Sequence, residues 1–258
     1  MVTFAAMSLP LILISNDDGI TAPGIRVLVE EMQKIGEVIV VAPDKPQSAM
    51  GHAITIMEPL RLKQSFIFEG VTAYECSGTP ADCVKLALDK VCTRRPDIMV
   101  SGINHGPNSS INVIYSGTMS AAVEAAVDGV QAIGFSLNDY SIEANFEHTR
   151  PYIQQIVQKM LEKPLPYGTL LNVNIPHTPL IKGIKVCRQC GGKYAENFEE
   201  RIDPTGKKYY WMTGKFINLE PEDNDTDIWA IENDYISVVP TKFDLTSNSV
   251  IQHLRQLL

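Results

Sequence analysis

The stretch LILISNDDGITAPGI, residues 11–25, decides the fold because it runs from an apolar segment through a polar turn into a helical pattern. Residues 11–15 are apolar and rich in β-branched side chains, as in a strand that is covered on both faces. In residues 25–35, apolar side chains recur at helical spacing, with a proline before them and a glycine after them. Residues 38–42 repeat the strand pattern, so this part of the chain predicts one β-α-β unit.

Strand and helix patterns continue to alternate as far as residue 177. Strand patterns occupy residues 96–103, 132–137 and 168–176, and helical patterns occupy residues 77–88, 120–129 and 152–162. Such alternation is typical of an α/β domain with a doubly wound, mostly parallel sheet and right-handed crossovers. We therefore predict one α/β region over residues 1–177, in which the first ten residues lead into the first strand.

The character of the chain changes after residue 177. The stretch RIDPTGKKYYWM predicts a β-hairpin that turns around residues 203–206. The acidic stretch EPEDNDTD and a final helical pattern follow it. We therefore treat residues 178–258 as a C-terminal extension of hairpin, strand and helix, which packs on the sheet or on another subunit and serves oligomerisation.

Composition and charge exclude several classes of protein. The formal net charge is −8, and no dense basic run occurs, so we expect no nucleic-acid polymer as a partner. The apolar N-terminus lacks the basic residues of a signal peptide, and its apolar run ends at Asn16, far short of a membrane span. We therefore expect no membrane partner.

The cysteines indicate a reducing compartment. Their number is odd, and a chain of 258 residues needs no disulfides to fold. The five are Cys76, Cys83, Cys92, Cys187 and Cys190. We therefore predict a cytoplasmic protein. The last two form a C-x-x-C without a second metal-binding pair or a thioredoxin-type context, so we interpret them as neighbouring thiols on a loop or strand.

Oxygen-bearing side chains follow three of the predicted strands. They are Asp17 and Asp18 after the first strand, Asp44 and Ser48 after the second, and Asn104 and Asn108 after the third. Because ligands of open parallel sheets bind beyond the carboxyl ends of the strands, we expect these side chains to gather at one edge.

The adjacent aspartates suggest a hard divalent cation. Two ionised carboxylates repel each other unless a cation offsets their charge, and Mg²⁺ or Mn²⁺ binds carboxylate, hydroxyl and amide oxygens together. However, Asn-Asp-Asp-Gly is also good turn chemistry, and an aspartate can cap the following helix. Ser48 and Asn104 fit backbone or turn roles equally well, and we interpret His52 and His105 as solvated or turn-bonding. From the residues alone both interpretations stay open.

Two Ser-Gly-Thr stretches each open a helix, and they differ in the first turn. In SGTPADCVKLAL, Thr79 and Asp82 form the pattern of a capping box, which is structural. In YSGTMSAAVEAA, no acid occurs before Glu124, so the amides after Thr118 are free for an anion such as phosphate. The alternative is that Thr118 is an ordinary N-cap before a tightly packed alanine helix.

Taken together, these motifs resemble the SurE family of survival-protein nucleotidases. The resemblance rests on NDDGI, VVAPDKPQSAMGHAIT, SGTPADCVKLAL, SGINHGPN, YSGTMSAAVEAA and TDIWAIENDYISVVP, which keep the family's order. They cover most of residues 11–137, with weaker likeness towards the C-terminus.

The resemblance implies a metal-dependent phosphatase, a 5′-nucleotidase that acts on nucleoside monophosphates and has a Rossmann-like N-terminal region. It implies one divalent ion per subunit, Mg²⁺ or Mn²⁺, and a homodimer or homotetramer whose C-terminal segments exchange between subunits. It places the metal ligands at Asp17, Asp18, Ser48 and Asn104, and the phosphate contacts at Asn108, Ser116, Gly117 and Thr118.

The mechanism that we infer is in-line attack on phosphorus by a metal-activated water, with Asp17, Asp18 and Asn104 as the catalytic residues. The D-x-D spacing of aspartyl-phosphate enzymes is absent. One alternative is a sensor that binds a nucleotide without hydrolysing it, although a G-x-G-x-x-G fingerprint is missing. Another is a sugar-nucleotide transferase, but nothing in the sequence selects an acceptor. The sequence leaves the preferred base and the choice between 5′ and 3′ phosphate open.

Overall fold

A computed structural model of the chain describes residues 9–141 and 143–258. The predicted lead-in to the first strand falls largely on residues 1–8 and lies outside the described residues. Within the described part of the chain, no helix combines the length and the apolar character needed to cross a membrane.

The described chain forms eleven strands. They are β1 (Leu11–Ser15), β2 (Glu37–Pro43), β3 (Leu62–Ser65), β4 (Thr72–Cys76), β5 (Ile98–His105), β6 (Gln131–Leu137), β7 (Thr169–Ile175), β8 (Gly183–Val186), β9 (Gly192–Ile202), β10 (Lys208–Asn218) and β11 (Tyr235–Lys242). Nine strands make one sheet in the order β3-β4-β2-β1-β5-β6-β7-β11-β8. The run from β4 to β7 is parallel, and β3 and β11 pair antiparallel with their neighbours β4 and β7.

Six α-helices accompany the strands. They are α1 (Pro23–Met32), α2 (Pro80–Leu86), α3 (Gly117–Val127), α4 (Arg150–Glu162), α5 (Asp227–Glu232) and α6 (Asn248–Leu257). Short helical turns at Ala87–Val91, Ser110–Tyr115 and Glu147–Thr149 complete the list. The predicted α/β fold with a doubly wound, mostly parallel sheet is confirmed. All five predicted strands are present, whereas β4 escaped prediction because the stretch TAYEC is short and half polar.

The core lies on both faces of the sheet because successive side chains of a strand point in opposite directions. Ile12 and Ile14 of β1 belong to the layer that includes the apolar faces of α1 and α4. Leu11 and Leu13 belong to the other layer, which includes α2 and the alanines of α3. Strand β1 pairs with β2 on one side and β5 on the other, and all five of its residues are buried.

The C-terminal segment 178–258 divides between the main sheet and a separate hairpin. Strands β8 and β11 continue the sheet beyond β7, whereas β9 and β10 form their own two-stranded antiparallel sheet. The hairpin turns where the sequence predicts: Gly206 N donates to Asp203 O at 3.0 Å, and Asp203 N donates to Lys207 O at 2.8 Å. Helix α6 follows as expected and buries none of its residues in this chain.

Candidate functional site

The loops after β1, β2 and β5 converge on one cleft of about 190 Å³ at the carboxyl edge of the sheet. Six of the eight predicted site residues line it: Asp17, Asp18, Ser48, Asn104, Asn108 and Ser116. Gly117 and Thr118 lie behind Asp17 and do not line the cleft. The exposed Asp44 is also absent from the lining.

Asp17 is held against the N-terminal end of α3. Its side chain is nearly buried, with 4% of the residue exposed, and Thr118 Oγ1 donates a hydrogen bond to its Oδ1. Gly117 permits this approach, because a Cβ there would lie 2.6 Å from Asp17 Cβ and 2.9 Å from Asp17 Oδ2. Burial first, and then the charge of Asp18, raises the pKa of Asp17 from 3.8 to about 6. The first turn of α3 contains no acidic residue of its own, and Asp17, which follows β1, places its carboxylate there.

The cap of α3 differs in detail from the alternative that the sequence suggests. The N-cap is Ser116, whose Oγ accepts from Met119 N at 3.0 Å, and the helix begins at Gly117. Thr118 is fully buried in the first turn. In α2, by contrast, the capping box of Thr79 and Asp82 is present as predicted.

Asp18 faces the cleft beside His105. The backbone N–H of His105 donates to Asp18 Oδ2 at 3.4 Å, and His105 Nδ1 lies 3.3 Å from the same oxygen. His105 also packs edge-on against Phe146, with ring centroids 5.0 Å apart. His52 lies elsewhere, with its Nε2 2.8 Å from the buried Glu124 Oε2. Both histidines thus pair with carboxylates from distant parts of the chain, which the sequence analysis did not anticipate.

Asn104 reaches the cleft because β5 is irregular near its end. The pairing of β5 with β6 shifts between Ser101 and Asn104. The side-chain Nδ2 of Asn104 donates to His105 O at 3.2 Å and to Gly106 O at 2.7 Å. Its Oδ1 is therefore the atom of this amide that remains for a ligand.

A buried asparagine network holds Asn108. Asn108 N donates to Asn174 Oδ1 at 2.7 Å, and Asn172 Nδ2 donates to Asn108 O at 2.8 Å. Asn108 Nδ2 donates in turn to Ser136 Oγ at 2.8 Å. Sequence reasoning missed the two asparagines of β7, although their signal is readable: they stand two positions apart, on one face of an otherwise apolar strand.

Sequence reasoning also missed Asp227, which fixes the loop before α3 from the C-terminal segment. It is fully buried, and its carboxylate accepts hydrogen bonds from Ser110 N at 2.8 Å and Cys190 N at 2.9 Å. Burial raises the pKa of Asp227. The stretch TDIWAIENDY thus contributes to the site indirectly, because it anchors the backbone that leads into Ser116.

The other lining residues include one amide and three aromatic side chains that the sequence analysis did not single out. They are Asn112, Tyr115, Tyr140 and Tyr194. Tyr194 comes from β9 at the base of the hairpin, so the C-terminal segment contributes to the wall. No local pattern marks these residues, because a short helical turn, a loop and a strand bring them together.

The donor set suits a hard cation. Among residues 9–141 and 143–258, no group of three or more His, Cys, Asp or Glu side chains is arranged to hold a metal ion. The cleft instead combines two carboxylates with the hydroxyl of Ser48 and the amide of Asn104. All four provide oxygen, which is the ligand that Mg²⁺ and Mn²⁺ prefer.

The cysteines take no part in the cleft lining, and none of the five is in a disulfide. Cys187 Sγ lies 3.3 Å from Lys185 O, and Cys190 Sγ lies 3.2 Å from Asn218 Oδ1. Both thiols are buried and lie between β8 and β9, which agrees with the interpretation as neighbouring thiols on a loop or strand.

Comparison with known proteins agrees with this geometry. The profile of the family described as Survival protein SurE matches residues 12–196. The chain is 59% identical to the 5′-nucleotidase SurE of Christiangramia forsetii, with 95% of each chain covered, and 56% identical to that of Cytophaga hutchinsonii, with 97% of each covered. The solved structure of the SurE protein from Aquifex aeolicus superposes with a TM-score of 0.83 at 39% identity, over 96% of this chain and 99% of that one. The chain therefore belongs to the SurE family.

Proposed function

We propose that this protein is a metal-dependent 5′-nucleotidase, which hydrolyses nucleoside monophosphates to nucleoside and phosphate. The observation that carries the proposal is the pair Asp17 and Asp18, which share one cleft at the carboxyl edge of the sheet although Asp17 is almost buried. A buried carboxylate beside a second one is unfavourable on its own, and a bound cation removes the penalty. The relatives at 56–59% identity carry the name 5′-nucleotidase SurE.

The cofactor in this proposal is one divalent ion per subunit, Mg²⁺ or Mn²⁺. Asp17, Asp18, Ser48 and Asn104 would hold it, since they supply four oxygen donors to the same cleft. When bound, such an ion supplies Lewis acidity at a phosphoryl oxygen and lowers the pKa of water.

The chain's own residues position the reaction. Thr118 and Gly117 fix Asp17, while the backbone carbonyls of His105 and Gly106 hold the amide of Asn104 so that its oxygen is left for the ion. Ser116, at the start of α3, lines the cleft, and the positive end of a helix favours a phosphate there. Asn108, which also lines the cleft, is the other phosphate contact of this proposal, whereas Gly117 does not line the cleft and instead permits the close approach of Asp17. Thr118, whose side chain is fully buried, would act through Asp17.

The nucleophile in this proposal is water. Asp17 Oδ1 already accepts a hydrogen bond from Thr118. Aspartyl-phosphate enzymes have a second aspartate two positions after the first, and this chain has a glycine there. No observation favours a nucleotide sensor or a sugar-nucleotide transferase over hydrolysis.

The hairpin of β9 and β10 supports a homodimer or homotetramer. An isolated two-stranded hairpin is marginally stable in water, and this one exposes large apolar side chains. The most exposed of them are Phe198, Ile202, Tyr210, Trp211 and Met212. A second copy of the chain would cover this surface, and light scattering on the purified protein tests it. The cytoplasm is the location that fits five cysteines without a disulfide.

The experiment that tests the function is phosphate release from AMP and 3′-AMP, with Mg²⁺, Mn²⁺ or EDTA. We expect phosphate release only with metal, and we expect Asp17→Asn to lower the rate of release by at least about 100-fold. Mutation of even the outer-shell partners of a metal site lowers metal affinity or activity by about 10- to 100-fold. Asp44→Asn is the matched control, because this exposed aspartate follows β2 but does not line the cleft. Equal phosphate release in EDTA, or by Asp17→Asn, would falsify the proposal.

A further inference from the structure

Three of the side chains that line the cleft are aromatic and exposed to solvent. Tyr140 is 73% exposed, Tyr115 49% and Tyr194 38%, although all three line the same cleft as the two aspartates. Single exposed aromatic residues are common on protein surfaces and need no explanation. Three of them beside a cluster of oxygen ligands are different, because they add flat apolar faces to a polar site.

The rings of Tyr140 and Tyr194 are held in place by contacts with neighbouring residues. Tyr140 packs on Gly106, where a Cβ would lie 2.3 Å from Tyr140 Cε1. The hydroxyl of Tyr194 donates to Asn112 Oδ1 at 2.7 Å, and its ring lies edge-on to Phe216 with centroids 5.8 Å apart. Rings fixed before a ligand arrives lose little freedom when they bind it, so they bind more tightly than mobile ones.

The size of the cleft determines which part of a substrate meets these rings. Its volume of about 190 Å³ is below the roughly 300–1,000 Å³ of pockets that enclose a drug-sized ligand. A nucleotide whose phosphate lies near Asp17 and Asp18 therefore extends beyond the enclosed part. Its base then meets the exposed part of the lining, to which Tyr140 and Tyr194 belong.

We propose that Tyr140 and Tyr194 form a nucleobase subsite, in which their rings contact the face of the base while its phosphate occupies the polar end of the cleft. This inference rests on the proposed function. Every base has a π-face, so contact with aromatic rings accepts all bases and favours purines, which offer more surface. The subsite thus selects nucleotides over sugar phosphates that lack a base.

The test compares AMP with ribose 5-phosphate, which carries the same phosphate ester but no base. Alanine substitution of a ring that stacks on a base weakens binding by about 10-fold. We therefore expect Tyr140→Ala and Tyr194→Ala to lower the ratio of kcat/KM for AMP to that for ribose 5-phosphate by about 10-fold, mainly through KM. Tyr140→Phe retains the ring and should keep the ratio of the wild type.

Inhibition by adenosine provides a second readout, because adenosine carries the base but no phosphate ester. It should inhibit ribose 5-phosphate hydrolysis competitively in the wild type, and about 10-fold more weakly in Tyr140→Ala. Tyr167→Ala is the matched control, because Tyr167 is 74% exposed but packs against Phe243 away from the cleft. It should change neither readout.

The outcomes separate the two proposals. If the wild type releases phosphate from both substrates and neither alanine variant changes the AMP to ribose 5-phosphate ratio, the subsite is refuted and the enzyme stands. If the wild type with metal releases phosphate from neither, the proposed function fails and the subsite with it. Tyr140 lies on a loop separate from the hairpin, so a change in assembly caused by Tyr194→Ala leaves the Tyr140→Ala result decisive.

Discussion

Oγ1 of Thr118, in the first turn of α3, donates a hydrogen bond to Oδ1 of Asp17 at the end of β1, although 101 positions separate the two residues in the chain. This contact fixes a buried carboxylate at the positive end of a helix, next to Asp18. The hydrogen bond from Thr118 lowers the pKa of Asp17, but burial and the charge of Asp18 raise it more, so ionisation of Asp17 is unfavourable in the metal-free protein.

Asp17→Asn should stabilise the metal-free protein while it removes activity. The pKa of Asp17 is raised from 3.8 to about 6, and at 1.36 kcal/mol per unit the ionised form costs up to about 3 kcal/mol above pH 7. Asparagine keeps an oxygen for Thr118 and carries no charge. Denaturant unfolding in EDTA at pH 8 should show a higher free energy of unfolding for the variant. Asp44→Asn, at an exposed position, should leave this value within about 0.5 kcal/mol of the wild type.

The contribution of Asp17 to the stability of the metal-free protein should fall as the pH rises from about 4 to about 6. In this range the folded state holds a proton on Asp17 that the unfolded state has released, because the folded pKa lies above the unfolded one. The contribution of this group is therefore present at low pH and lost above about pH 6. In thermal unfolding with EDTA, the melting temperature of the wild type should therefore fall relative to that of Asp17→Asn as the pH rises over this range. Identical pH profiles of the melting temperature for the two proteins would contradict the assignment.

Metal affinity should weaken below about pH 6. A carboxylate must lose its proton before it binds a cation, so the apparent affinity for Mn²⁺ should drop about tenfold for each pH unit below the pKa of Asp17. Titration with Mn²⁺, followed by calorimetry between pH 5 and pH 8, measures this slope. An affinity that stays constant over the whole range would exclude Asp17 as a ligand.

Gly117→Ala should impair activity by moving Asp17. A Cβ at this position would lie 2.6 Å from Asp17 Cβ, which is too close for either atom to stay in place. Displacement of a catalytic group by 1 Å can cost about 100-fold in rate. We expect a loss of at least about 10-fold in kcat/KM for AMP with far-UV circular dichroism like that of the wild type.

Gly70→Ala is the control for this variant. A Cβ on Gly70 meets no atom within 4 Å, although its φ of +69° makes the substitution strained. It should lower the melting temperature without lowering kcat/KM below the unfolding transition. If both glycine variants lose activity in proportion to their stability, the contact with Asp17 is not the cause.

Asn174→Ala should destabilise the protein and weaken substrate binding. Asn174 Oδ1 accepts from the backbone N–H of Asn108 at 2.7 Å, and both residues are buried. Loss of the acceptor leaves a buried donor unpaired, which costs about 1–3 kcal/mol in the free energy of unfolding. The loop that carries Asn108 then loses its anchor, so KM for AMP should rise. The exposed Asn197 on β9 provides the control, since Asn197→Ala should alter neither the free energy of unfolding nor KM.

Much of the fold is readable from the sequence because burial in a parallel sheet imposes a local pattern. Each central strand is covered on both faces, so residues such as 11–15 and 98–103 must be apolar in a continuous run. Strand β4 escapes this rule because only two of its five residues are buried, and β8, at the edge of the sheet, escapes it because none of its four residues is buried. The same local logic predicts the capping box of α2, whose partners stand three positions apart.

The candidate site can be predicted only in part, because a local pattern indicates where the strands end but not which distant residues they contact. Strand ends carry Asp17, Asp18 and Asn104 to one edge of any such sheet, so their proximity follows from topology. The contacts that fix them do not: Thr118 reaches Asp17, His105 reaches Asp18 across 87 positions, and Asn174 reaches Asn108 across 66. No local pattern encodes which distant side chains meet.

By itself, the sequence determined a doubly wound α/β sheet with acids and amides at the carboxyl ends of its strands. The reason is that hydrophobic periodicity, and the succession of strand and helix patterns, can be read from residues that are close together in the chain. Only the tertiary structure decided that Asp17 is buried at the start of α3, that an asparagine pair in β7 holds Asn108, and that tyrosines from a loop and a hairpin border the same cleft. The physical reason is that burial, pKa and hydrogen-bond partner depend on what packs around a side chain, and residues far apart in the chain supply that packing.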